Sequence, residues 1–122
     1  MANQAFTALT FTALSTSVNG DDLDNLSSSS GNMIVDITAI TGTSPTLTVT
    51  LQGKDPASGK YYDIIASAAL TATGTTMIKI MPGGQIAANT SANNGIPKVF
   101  RVIAAAGGTT PSITGTVGIN LF

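Results

Sequence analysis

Apolar and polar residues alternate along most of this chain with a period of two. That spacing puts one face of an extended strand in a core and the other in solvent. Leu9, Phe11 and Ala13 alternate with Thr10 and Thr12, which predicts a first strand or an extended arm. Met33, Val35, Ile37 and Ala39 alternate with Asp36 and Thr38, and the stretch TGTSP is read as the end of that strand. Leu47, Val49 and Leu51 then alternate with Thr48, Thr50 and Gln52, and the chain sets off again at Lys60 after Asp55-Pro56-Ala57-Ser58-Gly59. A hairpin over 46–52 and 60–66 follows. Pro56 is preset for the second position of a type I turn, Asp55 is placed to accept bonds from the turn's own amides, and Gly59 is expected at positive φ.

Further along, a strand at 76–81 is stopped by Pro82-Gly83-Gly84. Residues 99–104 are apolar on both faces, as a central strand is. Gly107-Gly108-Thr109-Thr110-Pro111 is a turn signal, and Ile113, Val117, Ile119 and Leu121 share one face of a closing strand. Residues 19–32 read as a polar loop, and 85–97 as a long excursion with room for one helical turn in its alanine run. About seven or eight strands at this spacing predict an all-β fold, an antiparallel β-sandwich of jelly-roll or Ig-like order. Residues 21–122 form the sandwich, and residues 1–20 form an N-terminal arm or first strand. The expected core is Val35, Ile37, Leu47, Val49, Leu51, Ile64, Ile80, Val102, Val117 and Ile119.

A chain of 122 residues makes one domain with a real core. Only 9% of its residues are charged and the net charge is −1, so there is no electrostatic footprint for nucleic acid or an anionic membrane. No segment approaches the ~20 apolar residues of a membrane span, and the first residues lack the basic start of a signal peptide. Cysteine, histidine and glutamate are absent, which removes disulfides, thiolate metal sites and the commonest acid–base group. The carboxylates are Asp21, Asp22, Asp24, Asp36, Asp55 and Asp63, and no nucleophile elbow of the G-x-S-x-G type occurs. The expectation is therefore a protein that is not an enzyme, with no catalytic residue, cofactor or metal site.

Two features still invite a ligand. Asp21-Asp22-Leu23-Asp24-Asn25 gathers three carboxylates, but it lacks the glycine and closing glutamate of a calcium loop and reads as a solvated turn. Tyr61 and Tyr62 face opposite sides of a strand, so one is expected in the core and the other exposed. A carbohydrate-binding or adhesion module remains an alternative, although such modules present several aromatic rings. The candidate interaction residues are Phe6, Leu9 and Phe11, spaced to lay side chains on a partner, together with Tyr61.

The stretch VDITAITGTSPTLTVTLQGKDPASGKYYDIIASAALTATG, followed by PKVFRVIAAAGGTTPSITGTVGINL, resembles a group of small proteins of tailed bacteriophages. The shared pattern falls on Thr41 to Gly53, Tyr62 to Ile64, Arg101 to Ile103 and Gly107 to Thr114, within a likeness over residues 33 to 122. The chain departs from it in having one arginine where relatives often have two, and in its serine-rich loop. The resemblance implies a β-sandwich virion protein, most specifically a capsid decoration (cement) protein that stabilises the outer lattice. It also implies the major capsid protein as partner, a homotrimer, synthesis in the host cytoplasm and a final place on the capsid surface. A tail or head–tail connector protein is the alternative within the virion.

Overall fold

The computed structural model describes residues 3–122. These form eight strands: β1 (Gln4–Leu14), β2 (Ser17–Asn19), β3 (Leu23–Asp24), β4 (Gly31–Lys54), β5 (Tyr61–Ala66), β6 (Gly74–Ile80), β7 (Ser91–Ala92) and β8 (Val99–Leu121). All belong to one sheet of order β1-β8-β4-β6-β7, with β2 and β3 also paired to β8 and β5 paired to β4. Every pairing is antiparallel except that of β6 with β7. The all-β class and the strand count agree with the sequence.

β4 and β8 run side by side for nearly their whole length, from Gly31 opposite Leu121 to Gly53 opposite Phe100. Midway, Thr43 pairs with Thr109 and Thr46 with Gly107, with register shifts on both sides. Gly42, Ser44, Gly108 and Thr110 all have positive φ there. Both strands bend at the same level, and the sheet folds over on itself. One half comprises 31–41 of β4 and 112–121 of β8, flanked by β1 and β6. The other comprises 46–54 and 99–107, flanked by β2, β3 and β5. Phe6 of the first half meets Phe100 of the second edge-on, with ring centroids 5.8 Å apart at 77°. The sandwich is thus one sheet doubled over a single apolar core.

This corrects the reading of TGTSP and GGTTP as strand ends. The two segments lie opposite each other, so the ladder resumes beyond both. Each makes a corner in a continuous strand, where a lone turn would have sent the chain away.

Of the ten expected core residues, all but Ile64 are buried. The β4–β5 register slips after Leu51: Leu51 faces Ile65, and Gln52 faces Asp63. Ile64 is the unpaired residue of that bulge, and Ile65 takes its place in the core. The excursion 85–97 contains no helix. It holds the short strand β7 and returns Ile96 to the core.

β1 carries a repeat, Phe6-Thr7-Ala8-Leu9 and Phe11-Thr12-Ala13-Leu14. Phenylalanine and leucine three residues apart point to opposite faces of a regular strand. Here the register jumps between Thr7 and Leu9 and again between Phe11 and Leu14, and Ala13 has φ 51°. Each repeat thus holds one bulge between its phenylalanine and its leucine, which turns both inward. Leu9 and Phe11 are buried, and Phe6 and Leu14 pack on the core edge. Within the N-terminal segment 1–20 the described residues form β1 and β2, both paired to β8; residues 1 and 2 lie outside the described residues.

Candidate functional site

The solvent face of the second half-sheet is set by simple alternation. Leu51 points into the core, so Gln52 and Lys54 point outward, where Gln52 stands opposite both Arg101 on β8 and Asp63 on β5. Arg101 Nε donates to Gln52 Oε1 at 2.9 Å, and Gln52 Nε2 donates to Asp63 Oδ1 at 2.8 Å. This chain of bonds holds the guanidinium over Tyr61, with its carbon 3.5 Å from the ring centroid. Lys54 approaches the same ring at 5.6 Å.

Asp22, from the segment between β2 and β3, closes the frame. It accepts from the Tyr61 hydroxyl at 2.6 Å and from Lys54 Nζ at 2.9 Å. The Tyr61 hydroxyl, followed by Lys54, holds the Asp22 carboxyl below its usual range; the Asp22 bond in turn raises the Lys54 ammonium. A solvated pair of this kind adds little to stability. Its effect is orientation: a tyrosine and an arginine are locked, stacked and half-buried on an open face. Nothing in the frame is a nucleophile with a base beside it. What the frame presents is a planar cation over an aromatic ring, a surface suited to carbonyl, carboxylate or aromatic groups of another molecule.

The sequence-expected residues part company here. Tyr61 lies at the centre of this face. Leu9 and Phe11 spend their apolar surface inside the chain, and Phe6 packs on Phe100. Neither tyrosine enters the core, which corrects the expectation that one would. Tyr62 is 46% exposed and lies over Gly53, where an added Cβ would collide with its ring and with Pro97. Both tyrosines sit past the β5 bulge, at the end of the core.

The acidic run disperses: Asp22 goes to Lys54 and Asp24 lies 3.7 Å from Lys98. Among the described residues no three acidic side chains gather where a metal ion would sit. Asn25 is buried, its amide donating to the carbonyls of Ser28 and Ile96. Gln52 and Lys54 were not singled out from sequence, Arg101 entered only through the phage-like pattern, and Asp22 only as part of the acidic run. The outward alternation of Gln52 and Arg101 on two strands was a usable signal; nothing local paired Asp22 with Tyr61.

No protein-family model matches the chain, and no curated protein matches it. Among solved structures it is similar to a chain in the structure of infectious bursal disease virus, Gx strain, with a TM-score of 0.46 and 11% identity. The likeness covers 98% of this chain and 32% of the viral one, so the chain spans about a third of that protein's length. A likeness at that level assigns neither family nor role.

Proposed function

We propose that the protein is a structural component of a virion that binds the outer capsid lattice as a decoration protein, with the major capsid protein as its partner. The observation that carries this reading is the pre-ordered Tyr61–Arg101 face. Tyrosine and arginine are the residue types that dominate protein–protein binding energy, and side chains already fixed lose little freedom on docking. The face lies on the solvent side of a sheet, which suits a broad protein surface better than a small substrate. Many copies on one shell turn weak single contacts into lasting attachment. The likeness to small sandwich proteins of tailed bacteriophages supports the virion setting.

The test is co-sedimentation of the purified chain with shells of its own virus that have been stripped of it. Wild type is expected to bind, and Tyr61→Ala or Arg101→Ala to weaken binding by roughly tenfold or more. Full binding by both variants would sink the role given to this face. Wild-type chain that ignores the shell, with labelled chain found at the tail or the head–tail junction, would sink decoration itself.

A further inference from the structure

The other outer face of the sandwich, on the first half-sheet, is unlike the one just described. Its middle row crosses four strands without a charge: Thr7, Gly118, Ile34 and Met77. The next row on one side holds Lys79, opposite Asn32, and the next row on the other holds Asp36, opposite Thr75. The remaining positions of these rows are alanine, threonine and asparagine. Met77 is 48% exposed, and just past the lysine row Met81 and Phe122 are 48% and 43% exposed. The face is therefore uncharged along its middle, with Ile34 and Met77 as its apolar members, positive on one side and negative on the other.

We infer that this face joins two copies of the chain, packed face to face about a two-fold axis that runs along the middle row. Such a rotation lays the middle row on its own copy, Ile34 on Ile34 and Met77 beside Met77. It also reverses the strand direction, so the Lys79 side of one copy covers the Asp36 side of the other. Lys79 and Asp36 stand on neighbouring strands, ~4.8 Å apart across the sheet, which a lysine side chain spans. Within one chain the two are four residues apart along the strands, roughly 13 Å, and Asp36 instead accepts from the Thr75 hydroxyl. The charges thus complement a second copy better than they complement each other. Gly118 leaves a shallow floor in the middle of the row, which lets two sheets approach to the ~10 Å of aligned sandwich packing. An interface of this kind is isologous and closed, so it stops at two, in place of the homotrimer that the phage resemblance implies.

Area sets the expected strength. Four strands at ~4.8 Å and three full rows at ~6.8 Å, with Met81 and Phe122 just beyond them, give on the order of 400–500 Å² per copy. A standard stable interface has ~800 Å² per partner. The dimer should therefore form at concentrations on the order of micromolar and dissociate on dilution. It needs neither Tyr61 nor Arg101, which lie on the opposite outer face, so it stands or falls separately from capsid binding.

Sedimentation equilibrium of the whole chain is the test. The expected result for wild type is a monomer–dimer equilibrium. Gly118→Arg should be monomeric at every concentration, with the melting midpoint that wild type has at dilutions where it too is monomeric. In the single chain an added Cβ there meets only the Phe6 carbonyl oxygen, at an ordinary 3.7 Å. Lys79→Asp and Asp36→Lys should each weaken the dimer at least tenfold by placing like charges together, and the double swap should restore it. A strictly monomeric or a trimeric wild type overturns the inference. So does a dimer that survives Gly118→Arg, or a double swap that fails to recover what the single swaps lose.

Discussion

Gly59 and Gly115 are both glycines for backbone reasons, and the reasons differ. Gly59 has φ +74° and open space around it, so a side chain there meets only its own backbone. Gly59→Val should cost about 1–2 kcal/mol, the strain of a left-handed residue with a branched Cβ. Gly115 has ordinary φ, but an added Cβ would run into the carbonyl of Asp36 on the neighbouring strand. Gly115→Ala should therefore lower the denaturation midpoint more than Gly59→Val does, because two paired strands must shift; equal midpoints would contradict this. The turn before Gly59 was legible to the residue: Asp55 accepts from the Ala57 amide at 3.0 Å and from the Ser58 hydroxyl at 2.7 Å. Those bonds, Ser58 first, hold the Asp55 carboxyl below its usual range. A depressed carboxylate stabilises the fold above the unfolded pKa of about 3.9, and the contribution fades as pH falls through the folded value. Melting midpoints of wild type and Asp55→Asn should accordingly differ at pH 7 and converge below about pH 4.

At the level of the element, β1 shows how a correct period can still give a wrong role. Strict alternation puts Phe6 out of phase with Leu9 and Phe11, so the three do not read as one buried row. The bulge between Thr7 and Leu9 brings them into phase, the one after Phe11 does the same for Leu14, and an inserted residue leaves no mark in apolar periodicity. The five-residue repeat was the available signal, since a doubled Phe-x-x-Leu in an edge strand needs a bulge in each copy to bury both residues. The consequence is that β1 is a wall of the sandwich. Phe11→Ala should cost about 3–5 kcal/mol, measured by denaturant unfolding. Removal of residues 4–14 should abolish the cooperative transition altogether, since it also strips β8 of a paired neighbour; a truncated chain that still unfolded cooperatively would return β1 to the status of an arm. The Tyr61 face was out of reach for another reason. Its members come from four separate segments, and only the pairing of β4 with β5 and β8 brings Gln52, Asp63 and Arg101 into one row.

Across the whole molecule, the doubled sheet favours cooperative unfolding. In a sandwich of two separate sheets, each could loosen while the other held. Here β4 and β8 belong to both halves and cross between them at Thr43–Thr46 and Gly107–Thr110, so neither half keeps its central strands if the other is lost. Local sequence did not reveal this: TGTSP and GGTTP have the residues of ordinary turns, and only their position opposite each other makes them one corner. Because β4 and β8 pair residues far apart in sequence, folding should be slow, in the range of about milliseconds to seconds. Both tyrosines lie in the second half, so their fluorescence reports on that half, while far-UV circular dichroism reports on the whole sheet. Val35, fully buried in the first half, is the place to perturb. Val35→Ala should cost about 1–3 kcal/mol through lost burial and an unfilled gap, and lower the melting midpoint by several degrees. If the sheet melts as one unit, the tyrosine signal and the dichroism should fall together and by the same amount, although the lesion lies in the half without a tyrosine. A tyrosine transition that stayed at the wild-type temperature while the dichroism moved would mean that the halves unfold separately, and that the corner is a hinge between two sheets.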